Sequence, residues 1–293
     1  MRILWCDRDF PVNTPSFQQM RSELSNKMKN NITFKYATGK RDMLKVCSGF
    51  DVIVISPFVS DLDAWENLGK ISIPKIMIVS DPQSDIAHHV YYTKKYKINM
   101  LLFLYPAWIP VYQKYLECKM DVLPWWLNDP KENIEKQVDL AYAVANSPFH
   151  PVRWLVSNDK RIQEMNKVKV PFGIGDSRIE WNDYIHLLNR TKLLIFDGSF
   201  WNLPILKYVE GMATECCILA PSPEREDILH LKPYENYVPV TIDNYFEQIV
   251  KYLDNNEERE RVAKNARETF LKYNTTKIRM DELLQKLELL VNE

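Results

Sequence analysis

The stretch Lys207-Tyr-Val-Glu-Gly-Met-Ala-Thr-Glu-Cys-Cys-Ile-Leu-Ala220 places a cation and a carboxylate, Lys207 and Glu210, one helical turn apart and just ahead of an apolar run. At 100° per residue, Ile205, Leu206, Tyr208, Val209, Met212 and Ala213 form a broad apolar arc. Lys207, Glu210 and Thr214 fall on the opposite side, within roughly 60° of one another. Such a pair is either a surface ion pair or part of a site in which the carboxylate accepts hydroxyl hydrogens and the cation offsets an anion. A helix running into a strand inside an α/β pattern is where ligands collect. A second candidate is Asp81, in Ile78-Val79-Ser80-Asp81-Pro82. It stands at the carboxyl end of a predicted strand, as either a catalytic group or a turn and helix-cap residue. His88 and His89 follow it on a predicted helix, where neighbours in sequence cannot face one site together. His88 is a further candidate, against a core or surface reading.

The elements that must position these groups alternate regularly, the pattern of parallel sheets with crossover helices. Strands are predicted at Arg2–Cys6, Ile32–Tyr36, Val52–Ser56, Lys75–Val79, Met100–Leu104 and Met120–Leu123. Between them helices are predicted at Ser16–Asn30, Lys40–Cys47, Asp61–Leu68, Ser84–Tyr96 and Ile109–Cys118. The segment Trp125–Asn133 reads as a linker. A second set of strands follows at Val138–Val144, Lys169–Phe172, Leu193–Phe196, Cys217–Leu219 and Tyr237–Val240. Its helices are Pro151–Met165, Trp181–Asn189, Leu203–Ala213, Asn244–Leu253 and Glu257–Lys272. A last helix, Thr276–Val291, carries Met280, Leu283, Leu284, Leu287 and Leu290 on one stripe.

The 293 residues suffice for two domains of about 150 each. With 38 basic residues against 39 acidic ones, no bulk charge points to nucleic acid as a general partner. No run approaches the ~18 apolar residues of a transmembrane segment, and the amino terminus lacks a signal-peptide layout. Five cysteines without a C-x-x-C pair argue for a reducing compartment and against zinc. The expected location is the cytoplasm or the periphery of a membrane. Seven glycines, against a usual share of about 7%, include neither G-x-G-x-x-G nor a Walker loop. A dinucleotide-dependent dehydrogenase and a P-loop NTPase are thereby disfavoured.

The Lys207-to-Ala220 stretch resembles the donor-binding helix of GT-B glycosyltransferases, where Lys/Arg-x-x-Glu precedes a small-residue turn and a strand. The resemblance implies that Glu210 holds the ribose hydroxyls of a nucleotide sugar, with Lys207 facing its diphosphate and Gly211 beside them. Glu215 stands where many members have Gly. Asn202, eight positions before Glu210, replaces the first Glu of the retaining enzymes' E-x7-E pattern. Ser147-Pro-Phe-His-Pro-Val-Arg153 is similar to the aromatic-Pro-x-Arg of CgeB-like (group 1 type) glycosyltransferases and implies that Arg153 serves the diphosphate from a helix's first turn. A cation there opposes the helix dipole and so asks for an anionic partner.

Trp181 to Asp197 resembles the Y-x-x-x-L-N-x-S-K unit of the same family. The loop after it would bring Ser199 to phosphate and Trp201 and Asn202 to the site, with the base read near Phe172 to Arg178. Phage DNA β-glucosyltransferases, distantly similar, carry an Asp after the strand matching that of Asp81, as the base that activates the acceptor. The resemblance is good over residues 138–285 and covers the first half in outline.

Two other resemblances compete at the amino terminus. Asp7-Arg8-Asp9 resembles the metal-binding D-x-D of GT-A enzymes, yet only one strand precedes it. The same start resembles a response-regulator receiver, but Ser56 stands where the phospho-accepting Asp would be.

The expectation is an α/β protein with two Rossmann-like domains and an interdomain cleft, a GT-B fold. Residues 1–128 plus 275–293 would form an acceptor domain, its terminal helix crossing back, and residues 129–274 a donor domain. The expected activity is transfer from a nucleotide-diphospho sugar, UDP-sugar first, to a glycan, protein or small-molecule hydroxyl, with no cofactor and no essential metal. Two alternatives stay open. One is a glucosyltransferase acting on hydroxymethylated DNA, for which Lys94, Lys95 and Lys97 would line a groove. The other is a non-catalytic module that binds nucleotide sugar or carbohydrate.

Overall fold

The computed structural model describes residues 1–7, 15–36, 40–56, 62–83, 85–143, 147–170 and 179–293. The chain divides into two compact units, Met1–Pro124 with Thr276–Glu293, and Trp125–Thr275.

In the first unit, β1 (Ile3–Asp7), β2 (Ile32–Tyr36), β4 (Val52–Ile55), β6 (Lys75–Val79), β7 (Met100–Phe103) and β8 (Lys119–Val122) form one sheet in the order β2-β1-β4-β6-β7-β8. Every pairing is parallel, with Ile3 opposite both Ile32 and Val52. The central strands are buried along their whole length. Parallel strands covered on both faces require such uninterrupted apolar runs. Helices α1 (Pro15–Met28), α2 (Met43–Val46), α3 (Ile86–Tyr96) and α4 (Ile109–Tyr112) connect them.

Two helix expectations fail here. Instead of a helix over 61–68, the chain forms the two-residue strand β5 (Trp65–Glu66), parallel to β3 (Arg41–Asp42). Asn67 breaks the helix with φ of 61° and bonds Asp42 through its amide at 2.9 Å. Trp65 is meanwhile fully buried in the core. The helix from Ile109 stops at Tyr112 and passes into a turn, Tyr115 N bonding Tyr112 O at 2.9 Å, while the buried Tyr112 side chain meets Pro82 O at 3.0 Å and His89 Nδ1 at 2.6 Å.

The second unit holds β9 (Val138–Ala143), β10 (Lys167–Val170), β11 (Thr191–Ile195), β12 (Cys217–Ala220) and β13 (Val238–Pro239), all parallel, in the order β10-β9-β11-β12-β13. The strand order reverses between β9 and β11, which defines the switch point where such sheets take ligands. The single helix expected over 151–165 is two, α5 (Pro151–Asn158) and α6 (Lys160–Gln163). Asp159 is extended between them, and its carboxylate accepts the Arg161 amide at 2.9 Å.

Helix α7 (Trp181–Asn189) precedes β11, and α8 (Leu206–Ala213) lies between β11 and β12. Helices α9 (Tyr245–Asp254) and α10 (Asn256–Thr269) close the unit, α10 running into a π-helical turn at Phe270–Asn274. The last helix, α11 (Thr276–Val291), packs on α1 of the first unit with Met280, Leu283, Leu287 and Leu290 buried. An ion pair between Lys27 and Asp281 joins the same two helices. No helix of the described residues is long and apolar enough to cross a membrane.

Candidate active site

Helix α8 has no solvent face. Lys207 and Glu210 are each only 4% exposed, and Thr214 is fully buried. The side opposite the apolar arc, read from sequence as polar, is covered by α7. Tyr184 of that helix donates its hydroxyl hydrogen to Glu210 Oε2 at 2.6 Å. Lys207 Nζ lies 3.3 Å from the Tyr184 oxygen and 3.4 Å from Glu210 Oε2. Both bonds to Glu210 thus fall on one carboxylate oxygen. Burial, with a smaller push from nearby Arg153, brings the Lys207 ammonium down to about 8 against the opposing pull of Glu210. Burial, and then Glu210, push the Tyr184 phenol well up, so it stays a donor.

Gly211 is set by packing. A Cβ there would meet Ile218 Cγ1 at 2.7 Å and Leu194 Cδ2 at 3.2 Å, so its open side faces the sheet. Helix α8 ends in a Schellman motif, Cys216 N bonding Gly211 O and Glu215 N bonding Met212 O. Glu215 occupies its left-handed position with φ of 56° and is ion-paired with Lys131 at 2.8 Å.

The switch point carries a second cluster. Asp197, just past β11 and fully buried, accepts the Arg153 amide at 3.0 Å, the Ser199 amide at 3.1 Å and His150 Nδ1 at 2.7 Å. Arg153 returns a bond from Nη2 to the Asp197 carbonyl at 2.6 Å. Burial alone would raise the Asp197 carboxyl, but the bonds from His150 and the Arg153 amide bring it below the usual aspartate range. The anionic partner that a first-turn Arg demands is therefore internal, and the Arg153 amide is already taken. The carboxylates of both Asp197 and Glu210 act on the Arg153 charge and oppose the lowering of its pKa by burial, so the two clusters are electrostatic neighbours.

The loop after Asp197 is bent by two non-glycine left-handed residues, Ser199 (φ 67°) and Asn202 (φ 50°). A side chain on Gly198 would collide with the Leu203 backbone. Ser199 is buried, and its hydroxyl accepts the Trp201 amide at 3.4 Å. Phe200 and Phe149 stand exposed with Trp201 packed edge-on to Phe149, and the Phe200 amide bonds the Phe149 carbonyl at 3.0 Å. Arg178, expected near the base, lies outside the described residues.

In the first unit, Asp81 sits exposed immediately after β6, with Ser80 Oγ at 3.2 Å and Gln83 Nε2 at 3.4 Å from its carboxylate. The cap of α3 is Asp85, which accepts the His88 amide at 3.1 Å. His88 pairs with the same Asp85 at 3.0 Å, while His89, with its pKa lowered by burial, bonds Tyr112. Asp7 is buried and ion-paired with Arg21 at 2.6 Å, and Asp9 lies outside the described residues. Among the described residues no three His, Cys, Asp or Glu side chains gather in a metal-binding group.

Sequence reasoning passed over Asp197, His150 and Tyr184. Asp197 offered the same signal as Asp81, an acid directly following an apolar strand.

Two parallel doubly wound units define the fold as GT-B. The chain superposes on sucrose-phosphate synthase of Thermosynechococcus elongatus with a TM-score of 0.74 at 10% identity, over 99% of both chains. It matches Anabaena Alr3699/HepE in complex with UDP and glucose with a TM-score of 0.68 at 12% identity, over 99% of this chain and 100% of that one. The pneumococcal O-GlcNAc transferase GtfA, in complex with UDP and GlcNAc, gives a TM-score of 0.57 at 10% identity over 83% of this chain, which spans 57% of GtfA. A family model described as glycosyl transferase-like matches residues 162–285, which include α7, β11, α8 and β12. No curated protein matches the chain.

Proposed function

We propose that the protein is a GT-B glycosyltransferase of the CgeB-like kind, transferring a sugar from a nucleoside-diphospho sugar, UDP-sugar first, to a hydroxyl acceptor. The observation that carries this reading is the buried Lys207–Glu210–Tyr184 cluster beside the switch point, inside the segment that fits the glycosyl transferase-like family. A buried carboxylate with one oxygen already bonded can present the other to a ribose diol. Lys207, with Arg153 behind it, offsets the charge that a departing diphosphate gains, the task a metal performs elsewhere. The UDP held by HepE and by GtfA supports uridine as the first nucleotide to try. The acceptor binds to the first unit, where Asp81 at the end of β6 takes the proton of the attacking hydroxyl.

The test is incubation with UDP-, GDP- and TDP-sugars, following release of the nucleoside diphosphate. Slow release from one of them, reduced at limiting donor in Glu210→Gln, is expected. A thermal shift without any release, with or without acceptors, would favour a binding module instead. No shift with any of the three would sink the donor reading.

A further inference from the structure

The charged groups at the carboxyl ends of β9 and β11 are paired before any ligand arrives. Lys207 faces Glu210, and Asp197 serves both Arg153 and His150. Arg153 is 7% exposed, with its guanidinium turned onto the Asp197 carbonyl, so it supports the site from behind. The His150 side chain is 29% exposed. Its Nδ1 is fixed 2.7 Å from a carboxylate that the Arg153 and Ser199 amides hold in place. A ring nitrogen facing a carboxylate carries the hydrogen, which leaves Nε2 as the atom that meets a ligand. An anion meeting Nε2 places an acceptor at each ring nitrogen, the arrangement in which both can donate a hydrogen.

We propose that His150 is a ligand-contacting residue of the donor site, its Nε2–H donating to the terminal phosphate of the nucleoside diphosphate, and that Asp197 is its positioning residue. This rests on the donor reading above. In the transfer, the bond from sugar C1 to the diphosphate oxygen breaks and its electron pair stays on that oxygen. The acceptor oxygen bonds C1 and its proton goes to the base. His150 keeps its own proton and stabilises the negative charge gained by the leaving group.

The experiment is titration calorimetry of the full chain with UDP and, separately, with uridine. His150→Gln should leave uridine affinity within about twofold and cut UDP affinity roughly tenfold or more. Release of UDP from the productive sugar nucleotide should slow by roughly 10- to 100-fold. Asp197→Asn should lower the UDP-to-uridine ratio in the same direction, and a thermal melt checks that each variant is folded. An unchanged ratio in folded His150→Gln overturns the assignment, and so does an equal loss of both ligands, which marks a structural role. Wild-type protein that binds neither ligand overturns the donor reading, and this inference with it. Wild-type binding combined with an unchanged ratio overturns this inference alone.

Discussion

Replacing Glu210 by Gln tests the centre of the site, and the structure fixes what it should do. On a solvent-facing helix side the change would touch only ligand binding. At 4% exposure it also removes the counter-charge of a buried ammonium. Breaking a buried ion pair usually costs about 3–5 kcal/mol. Lys207 has an escape, because its pKa is already down at about 8. At pH 7 its proton is held by a margin of about 1–2 kcal/mol, so shedding it caps the loss near that value. Gln retains an oxygen for the Tyr184 hydroxyl, now 2.6 Å from Glu210. The expected stability loss at pH 7 is therefore about 1–2 kcal/mol, a drop of a few degrees in the thermal midpoint.

Binding should suffer more. Loss of a charge-assisted bond to the ribose is worth about 1.5–3 kcal/mol, or roughly ten- to 150-fold in Kd. A double variant, Lys207→Met with Glu210→Gln, separates the two effects. Removing both charges should recover most of the stability and none of the UDP affinity. The assays are thermal melts and titration calorimetry with UDP on all three proteins. Wild-type Kd in Glu210→Gln would refute the reasoning, and so would a double variant less stable than the single one.

Five further outcomes are expected. Above pH 8 Lys207 is neutral in the empty site, so UDP binding should take up a proton and weaken as pH rises, read from calorimetry in buffers of different ionisation enthalpy. In the empty protein the same depressed pKa means that the unfolded chain binds more protons between about pH 8 and 10.4, so Lys207's contribution to stability rises with pH there. Tyr184→Phe frees Glu210 Oε2 from its 2.6 Å bond and should lower the preference for UDP over 2′-deoxy-UDP, whereas a purely structural tyrosine would leave that ratio alone. Glu215→Gly should stabilise the second unit by about 0.5–1 kcal/mol in denaturant titration, since relief of a left-handed non-glycine (~1–2 kcal/mol) exceeds the Lys131 ion pair lost. Asp81→Asn should cut turnover by roughly 10²- to 10⁴-fold with UDP affinity unchanged and, on the direct-displacement reading, product NMR should show inversion; near-normal turnover or retention would reduce Asp81 to a turn residue.

Much of the fold was legible because its signals are local. Helices 181–189 and 276–291 and strands 32–36 and 75–79 fall where periodicity and apolar runs place them. The parallel α/β arrangement follows from their alternation. What failed depends on contacts distant in sequence. The helix expected over 61–68 gives way to a strand because Trp65 is drawn into a core built from strands on both sides of it. The break at Asp159 brings its carboxylate to the hydroxyl of Tyr245 at 2.7 Å, a partner 86 residues away. At the site, the spacing of Lys207 and Glu210 was readable but their burial was not, since the cover comes from Tyr184, 26 positions earlier.

That burial changes how the site must work on the donor reading. A cleft that left two cations unpaired in the absence of ligand would carry a desolvation cost of several kcal/mol per ion. Here each cation has an internal partner, so a diphosphate cannot simply fill an open positive pocket. It must draw Lys207 from Glu210 toward phosphate while the second oxygen of Glu210 takes the ribose hydroxyls. One ligand satisfies both halves of the broken pair only if it carries a diol and an anion at the spacing of a nucleoside diphosphate. A free nucleoside meets Glu210 and leaves Lys207 uncompensated, and inorganic pyrophosphate does the reverse. Both should therefore bind more weakly than their separate contacts suggest, and the coupling itself becomes a source of specificity for the intact donor.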